Sequence, residues 1–292
     1  MNLTASGPRE SLFLPPETEF LAPVVVSDLI RVGSPNDGGY VLPRSVVTGA
    51  EFLVSMGLNE DWSFDEHLQQ LNPSIGIHAY DHTISRALFR KRLISALLKL
   101  PVGRSTFSYI RERIRVLRAY EGFFRPPVAH YEQRVFNRIE TARDARLEDI
   151  FARIDSNKVL LKIDIEGAEY RIIGDILRFS DRIVGMVMEF HDTEPLRPVF
   201  LEAVRKLQRR FAIVHLHGNN HGSLGYDGLP ESLEITFVPL SAVYETEKRT
   251  MLPLPEVDSP NKPGKPDYIL RFAGAISGKS STRPAASHQG PA

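Results

Sequence analysis

Asp164, Glu166 and Glu169 crowd three carboxylates into six residues, directly behind Val159–Ile163, a run apolar but for Lys162. Carboxylates placed this way accept hydrogen bonds from hydroxyls, attract cations and take up protons. A helix amino terminus also tolerates them, since each acid there gains roughly 0.3–1 kcal/mol from the macrodipole. That accounts for Glu166 and Glu169. It does not account for the recurrence of the pattern. "EFLVSMG" runs into Asn59, Glu60 and Asp61, and "SIGIHAY" runs into Asp81. "RIVGMVMEF" brings Glu189, then His191 and Asp192, and "FAIVHLH" brings His217, Asn219 and Asn220. Ligands of open α/β sheets bind outside the carboxyl ends of the strands, so these polar ends read as one crevice.

Within that crevice His191 is the expected general base. An imidazole with an unperturbed pKa of about 6.5 is largely neutral near pH 7 and accepts a proton. Asp192 is the runner-up, and Asp164 on the neighbouring strand completes the catalytic set. Glu189 or Asp192 beside the ring would orient it and raise its pKa. The ligand that suits such walls carries hydroxyls and positive charge. A dinucleotide would want glycine-rich turns that offer backbone N–H groups to phosphates. "SMGLNEDWSFDE" instead has one glycine among several acids. A nucleoside with a sulfonium and no phosphate fits better, which describes S-adenosylmethionine.

His191, Asp192, His215, His217 and His221 also invite a metal reading, because positions 215 and 217 share a strand face. No carboxylate stands at a fixed offset from them, and loop hydrogen bonds explain strand-end histidines, so no metal is expected. From Arg86 to Arg118 ten basic residues face one acid, Glu112. This segment reads as a solvated face, a dock for an anionic substrate, or a patch for an anionic membrane surface.

Positioning these groups requires strands alternating with helices. Strands are expected at 51–57, 74–80, 159–163, 182–190, 211–217 and 232–238. Helices are expected at 62–71, 170–179 and 196–209, with a short one at 144–154 and an ambiguous strand in "AHYEQRVFNRI". The pair at 211–238 is joined by a Gly/Asn loop and should be antiparallel. "NDGGYV" reads as a hairpin turn, since these residues tolerate positive φ. Residues 83–120 form a helical insertion with two apolar stripes: Phe89, Leu93, Leu97 and Leu100, then Phe107, Ile110, Ile114 and Leu117. The alternation predicts a mainly parallel, Rossmann-like α/β sheet with an antiparallel last strand. Residues 1–20 are expected to be a flexible arm, 21–273 the folded domain, and 274–292 a disordered tail.

"LLKIDIEGAEYRII" resembles the signature of the FkbM-type S-adenosylmethionine-dependent methyltransferases, Lys-Ile-Asp-(Ile/Val)-Glu-Gly-x-Glu. Lys162, Asp164, Glu166, Gly167 and Glu169 match it. "SMGLNEDWSF" is similar to a variant of the family's first cofactor loop, keeping Gly57 and Asn59 but putting Ser55 at the acid position. The resemblance spans roughly residues 31–272. It implies a class I methyltransferase sheet with S-adenosylmethionine held by Ser55, Gly57, Asn59, Glu60, Asp61, Asp81, Asp164 and Glu166. Glu60 or Asp61 would supply the missing acid, and Asp81 would take the ribose hydroxyls. It further implies O-methylation of a sugar, glycan or small-molecule hydroxyl. The alternatives are an NAD(P)-dependent enzyme and a non-catalytic binding protein of the same fold.

The whole-chain numbers exclude several classes. The 36 basic and 36 acidic residues cancel, so no global field points to nucleic acid. The absence of cysteine removes disulfides, thiolate metal sites and thiol nucleophiles. The first twenty residues lack the basic flank and apolar run of a signal peptide, and the expected location is the cytoplasm.

Overall fold

The computed structural model describes residues 11–273. The chain enters through β1 (Ser11–Phe13), a 3-10 turn (Pro16–Leu21), and the hairpin β2 (Leu29–Gly33) and β3 (Gly39–Pro43). α1 (Arg44–Gly49) leads to β4 (Phe52–Met56), α2 (Ser63–Leu71) and β5 (Gly76–Tyr80). The helical insertion follows as α3 (Arg86–Lys99) and α4 (Phe107–Phe123). After β6 (Val128–Tyr131) come the short pair β7 (Arg134–Val135) and β8 (Asp144–Ala145), then α5 (Leu147–Phe151). The second half runs β9 (Val159–Ile163), α6 (Glu169–Arg178), β10 (Ile183–Phe190), α7 (Arg197–Leu207), β11 (Phe211–Gly218) and β12 (Leu233–Pro239). Two short strands, β13 (Met251–Leu252) and β14 (Ile269–Arg271), complete it.

Seven strands form the central sheet in the order β11-β12-β10-β9-β4-β5-β6. β4 pairs in parallel with both β5 and β9, and β9 with β10. β12 slips between β10 and β11 and runs antiparallel to both. This is the expected Rossmann-like α/β sheet. The chain leaves β4 toward β5 and β6, then returns to β9 on the other side, so the strand order reverses at β4/β9. A crevice opens at such a reversal.

β9 shows why its sequence is apolar but for Lys162. Leu161 and Ile163 pack with Ile172 and Ile176 of α6, while Leu160 packs with Val46, Val47 and the hairpin residues Val32 and Leu42. Both faces are covered, as a parallel interior strand requires. The β2–β3 hairpin lies across the sheet, held by the Thr236 hydroxyl donating to the Val41 carbonyl (2.5 Å).

One expectation is corrected. Residues 11–20, assigned to a flexible arm, are built into the fold. β1 pairs in parallel with β14, and Leu14 and Thr18 are buried. Residues 1–10 and the tail 274–292 lie outside the described residues. The insertion is helical as expected, and each of its stripes is only partly covered. Phe89 and Ile110 are buried, whereas Leu97 and Phe107 are exposed. Among the described residues no helix is long and apolar enough to cross a membrane.

Candidate functional site

A cleft of about 1110 Å³ opens at the carboxyl ends of β4, β5, β9 and β10. Nine carboxylates line it against one lysine and one arginine, a field that favours cations and repels a pyrophosphate. All but one of the sequence-derived site residues line it: Gly57, Asn59, Glu60, Asp61, Asp81, Asp164, Glu166, His191 and Asp192.

Ser55 is the exception, because its side chain does not reach the cleft. It is fully buried, and its hydroxyl donates to Asp65 Oδ2 (3.2 Å) beneath the cleft. Burial lifts the Asp65 carboxyl to about 6, opposed by the charge of Lys162 and by the Ser55 hydrogen bond. Glu60 lines the cleft and pairs with Arg113 (3.1 Å) and Arg92 of the insertion.

The β4 loop is set by close backbone approach. Gly57 has φ +78°, and a Cβ there would lie 1.6 Å from the Asp164 carbonyl oxygen. Only glycine fits both demands. The Lys162 ammonium donates to the Gly57 carbonyl and lies 3.6 Å from Asp164 Oδ2. Asp81 then fixes the loop from the next strand. Its Oδ2 accepts from the backbone of Leu58 (2.8 Å) and Asn59 (2.7 Å), and its Oδ1 from the Thr83 backbone and hydroxyl (2.6 Å each). Burial would raise this carboxyl, but the four donors outweigh burial and lower it. A carboxylate offers about four acceptor positions, so a ribose would have to exchange with one of these donors.

His191 sits just past β10 amid four acids. Its Nδ1 meets Glu169 Oε1 at 3.1 Å, and Glu169 also accepts the Ile165 backbone N–H (3.0 Å). Its Nε2 lies 3.6 Å from Glu166 and 3.8 Å from both Asp164 and Glu189. The Tyr170 hydroxyl pins the His191 carbonyl (2.6 Å). Burial works against the imidazolium, but the Glu169 hydrogen bond and the charges of Glu189, Glu169 and Asp164 overcome it and raise the ring's pKa well above its ordinary value. The unperturbed value expected for this ring is therefore corrected: the surrounding carboxylates favour its protonated form. Glu189 is raised by burial first, then by Asp164 and Glu234.

Tyr40 and Ser232 were missed in the sequence, while Asn219 and Glu169 were named there without the roles they take here. Tyr40, behind a turn explained by hairpin chemistry alone, donates to Asp164 Oδ2 (3.3 Å) and Glu189 Oε2 (3.5 Å). Burial and those two carboxylates push its phenol well above 10, so it stays a donor. Asn219 and Ser232 each donate to Glu189 Oε1 at 2.8 Å. Glu169, read as a helix-terminus acid, is fully buried against His191. Backbone geometry was a usable signal only in three dimensions. Asn59, Glu166 and Asp192 are the non-glycine residues with positive φ (52°, 54° and 54°) among those described, and all line the cleft. Such conformations gather at functional sites.

The histidines considered for a metal separate. His215 bonds Asp258 (3.1 Å), and His217 bonds Glu234 (3.3 Å) and Asp267 (3.0 Å), with both histidines buried and outside the cleft lining. A different trio, Asp164, Glu166 and His191, brings one ligand atom each within 4.8 Å of the others, an arrangement able to hold a divalent ion.

Known proteins resemble this chain at two levels. Among curated proteins none matches its sequence. Similar solved structures include the fibrillarin pre-rRNA processing protein of Methanococcus jannaschii, with 8% identity, 66% of this chain and 68% of that one covered, and a TM-score of 0.34. The precorrin-6y C5,15-methyltransferase of Geobacter metallireducens shows 13% identity over 67% of this chain and 87% of its own, TM-score 0.32. A "predicted O-methyltransferase" from Agrobacterium tumefaciens shows 10% identity over 68% and 81%, TM-score 0.33. The family comparison reaches further, since the model of the methyltransferase FkbM domain matches residues 67–213, half of the chain. With its sheet, its KIDIEG strand end and that match, the chain belongs to the FkbM family of methyltransferases, whose methyl donor is S-adenosylmethionine.

Proposed function

We propose that this chain transfers a methyl group to a hydroxyl oxygen of a sugar or other small-molecule acceptor. The carrying observation is the buried Glu169 carboxylate on His191 Nδ1, which leaves Nε2 beside the cleft carboxylates. An acceptor hydroxyl must lose its proton as the new O–C bond forms, and an oriented imidazole beside the acceptor is the group for that task. When bound, S-adenosylmethionine supplies the methyl group on a cationic sulfonium. The donor set fits it: the carboxylates of Asp61, Asp164 and Glu166 offset positive charge, and the loop at 57–59 is already held in place.

His191 in its neutral form takes the hydroxyl proton on Nε2, while Glu169 holds Nδ1–H and stabilises the imidazolium that results. Asp164 attracts the sulfonium and Tyr40 fixes its carboxylate. Asp192 is the reserve base. Holding donor and acceptor in line supplies much of the rate. Incubation with methyl-labelled S-adenosylmethionine and a panel of sugars, nucleosides and amines tests the reading. Label recovered in ether products supports it; label only in amine products contradicts it, and binding without turnover favours the non-catalytic protein.

One observation favours a second reading, the ligand trio of Asp164, Glu166 and His191. In that case a divalent ion would polarise the acceptor oxygen. A chelator then abolishes turnover and Mg²⁺ or Mn²⁺ restores it, whereas the imidazole mechanism predicts no effect of the chelator.

A further inference from the structure

The helical insertion is firmly rooted and bare at its tip. At the root, Phe89 and Tyr120 pack on Trp62, with ring centroids 6.3 and 5.9 Å away. Its arginines also find acid partners there. Glu121 takes Arg86 and Arg90, while Glu60 on the cleft rim takes Arg92 and Arg113. The far end differs in both respects. Of fourteen large apolar side chains exposed among the described residues, six fall between positions 94 and 109. They are Ile94, Leu97, Leu98, Val102, Phe107 and Tyr109, with Leu98 74% and Phe107 77% exposed. Lys91, Lys99, Arg104 and Arg111 are interleaved with them, exposed, and without an ion pair among the described residues.

We infer that this tip, residues 91–111, docks the protein on an anionic lipid bilayer. This goes beyond the methyl-transfer reading and does not depend on it. Contiguous exposed apolar side chains mark an interaction surface. The charge chooses the partner. Interfaces between proteins are depleted of lysine at their apolar centre, whereas apolar residues ringed by lysine and arginine suit the boundary between headgroups and acyl chains. Anionic headgroups supply the counter-charge that the tip lacks in its own chain. The root pairs hold the hairpin against the cleft rim, so the apolar side chains stay presented rather than folding back.

Co-flotation with phosphatidylcholine vesicles, with and without phosphatidylglycerol, tests this on the full chain. Wild type should float with the anionic vesicles, and added salt should release most of it. Leu98→Glu with Phe107→Glu should lower partitioning at least about tenfold. The quadruple change of Lys91, Lys99, Arg104 and Arg111 to Gln should do the same. All these side chains are exposed, so circular dichroism and S-adenosylmethionine affinity should match wild type. Equal flotation with both vesicle types, no flotation at all, or variants that float like wild type would overturn the proposal. A dimer in light scattering that the Leu98/Phe107 variant dissociates, without vesicle binding, would instead make a second copy the occupant.

Discussion

At the scale of single residues, the account turns on one ring and the acid behind it. His191→Ala should lower turnover by a factor of about 10² or more, within the range of 10²–10⁴ for a positioned base, while calorimetric affinity for the donor stays near wild type. The pH profile separates the base role from a structural one. Only the neutral ring accepts a proton, and its pKa is raised, so the rate should climb as pH rises from neutral through that raised value. In Glu169→Gln the ring loses the carboxylate charge that raises it, and its hydrogen bond is to a neutral amide oxygen. The rising limb should move toward acid, with maximal turnover reduced. A flat profile across this range in wild type would transfer the base role to a carboxylate, Asp164 or Asp192. The sequence exposed the acids and His191 because each follows an apolar run. It hid Tyr40 and the role of Glu169, since Tyr40 reaches Asp164 across 124 positions of chain and Glu169 satisfies local helix chemistry equally well.

Elements carry the next layer, and here the strand ends were legible for a physical reason. Interior parallel strands are covered on both faces, so β4, β9 and β10 read as mainly apolar runs that stop where the crevice begins, each carrying one polar residue, Ser55, Lys162 and Glu189. The helical tip was not legible, because periodicity reports a stripe and says nothing about whether a neighbour covers it. Ser55 is the opposite case: its place matched a motif, but the side chain points into the core at Asp65. The far edge of the sheet holds a feature that neither motif nor period announced. His217 of β11 is buried between Glu234 of β12 and Asp267 of the closing segment. Burial disfavours its charge, yet the hydrogen bonds to Asp267 and Glu234 raise it from 6.5 to about 10. A raised histidine pKa stabilises the fold fully below the unfolded value and loses that contribution as pH rises through the folded one. The denaturation midpoint of wild type should therefore fall relative to His217→Gln as pH goes from 6.5 toward 10. At neutral pH the variant should be less stable by about 3–5 kcal/mol, the cost of leaving buried acids unpaired. Parallel pH dependences in the two proteins would remove the clamp from the account.

On the scale of the whole molecule, a chain with no net charge sorts its charge into two places. Acids gather at the strand reversal and bases on the inserted helices, and Glu60 joins the two through Arg92 and Arg113. The central claim is that the acid-lined reversal at β4/β9 holds the sulfonium-bearing donor. Asp164 is the residue on which that claim rests, since it touches the Lys162, Tyr40 and His191 groups and lines the cleft. Calorimetric titration of S-adenosylmethionine into wild type and Asp164→Asn tests it most directly. The isosteric change removes one charge and little else, and charged hydrogen-bond partners are worth about 1.5–3 kcal/mol. The account predicts one donor bound per chain, with affinity in the variant weaker by about tenfold or more. Equal affinities in the two proteins, with the variant folded, would contradict it.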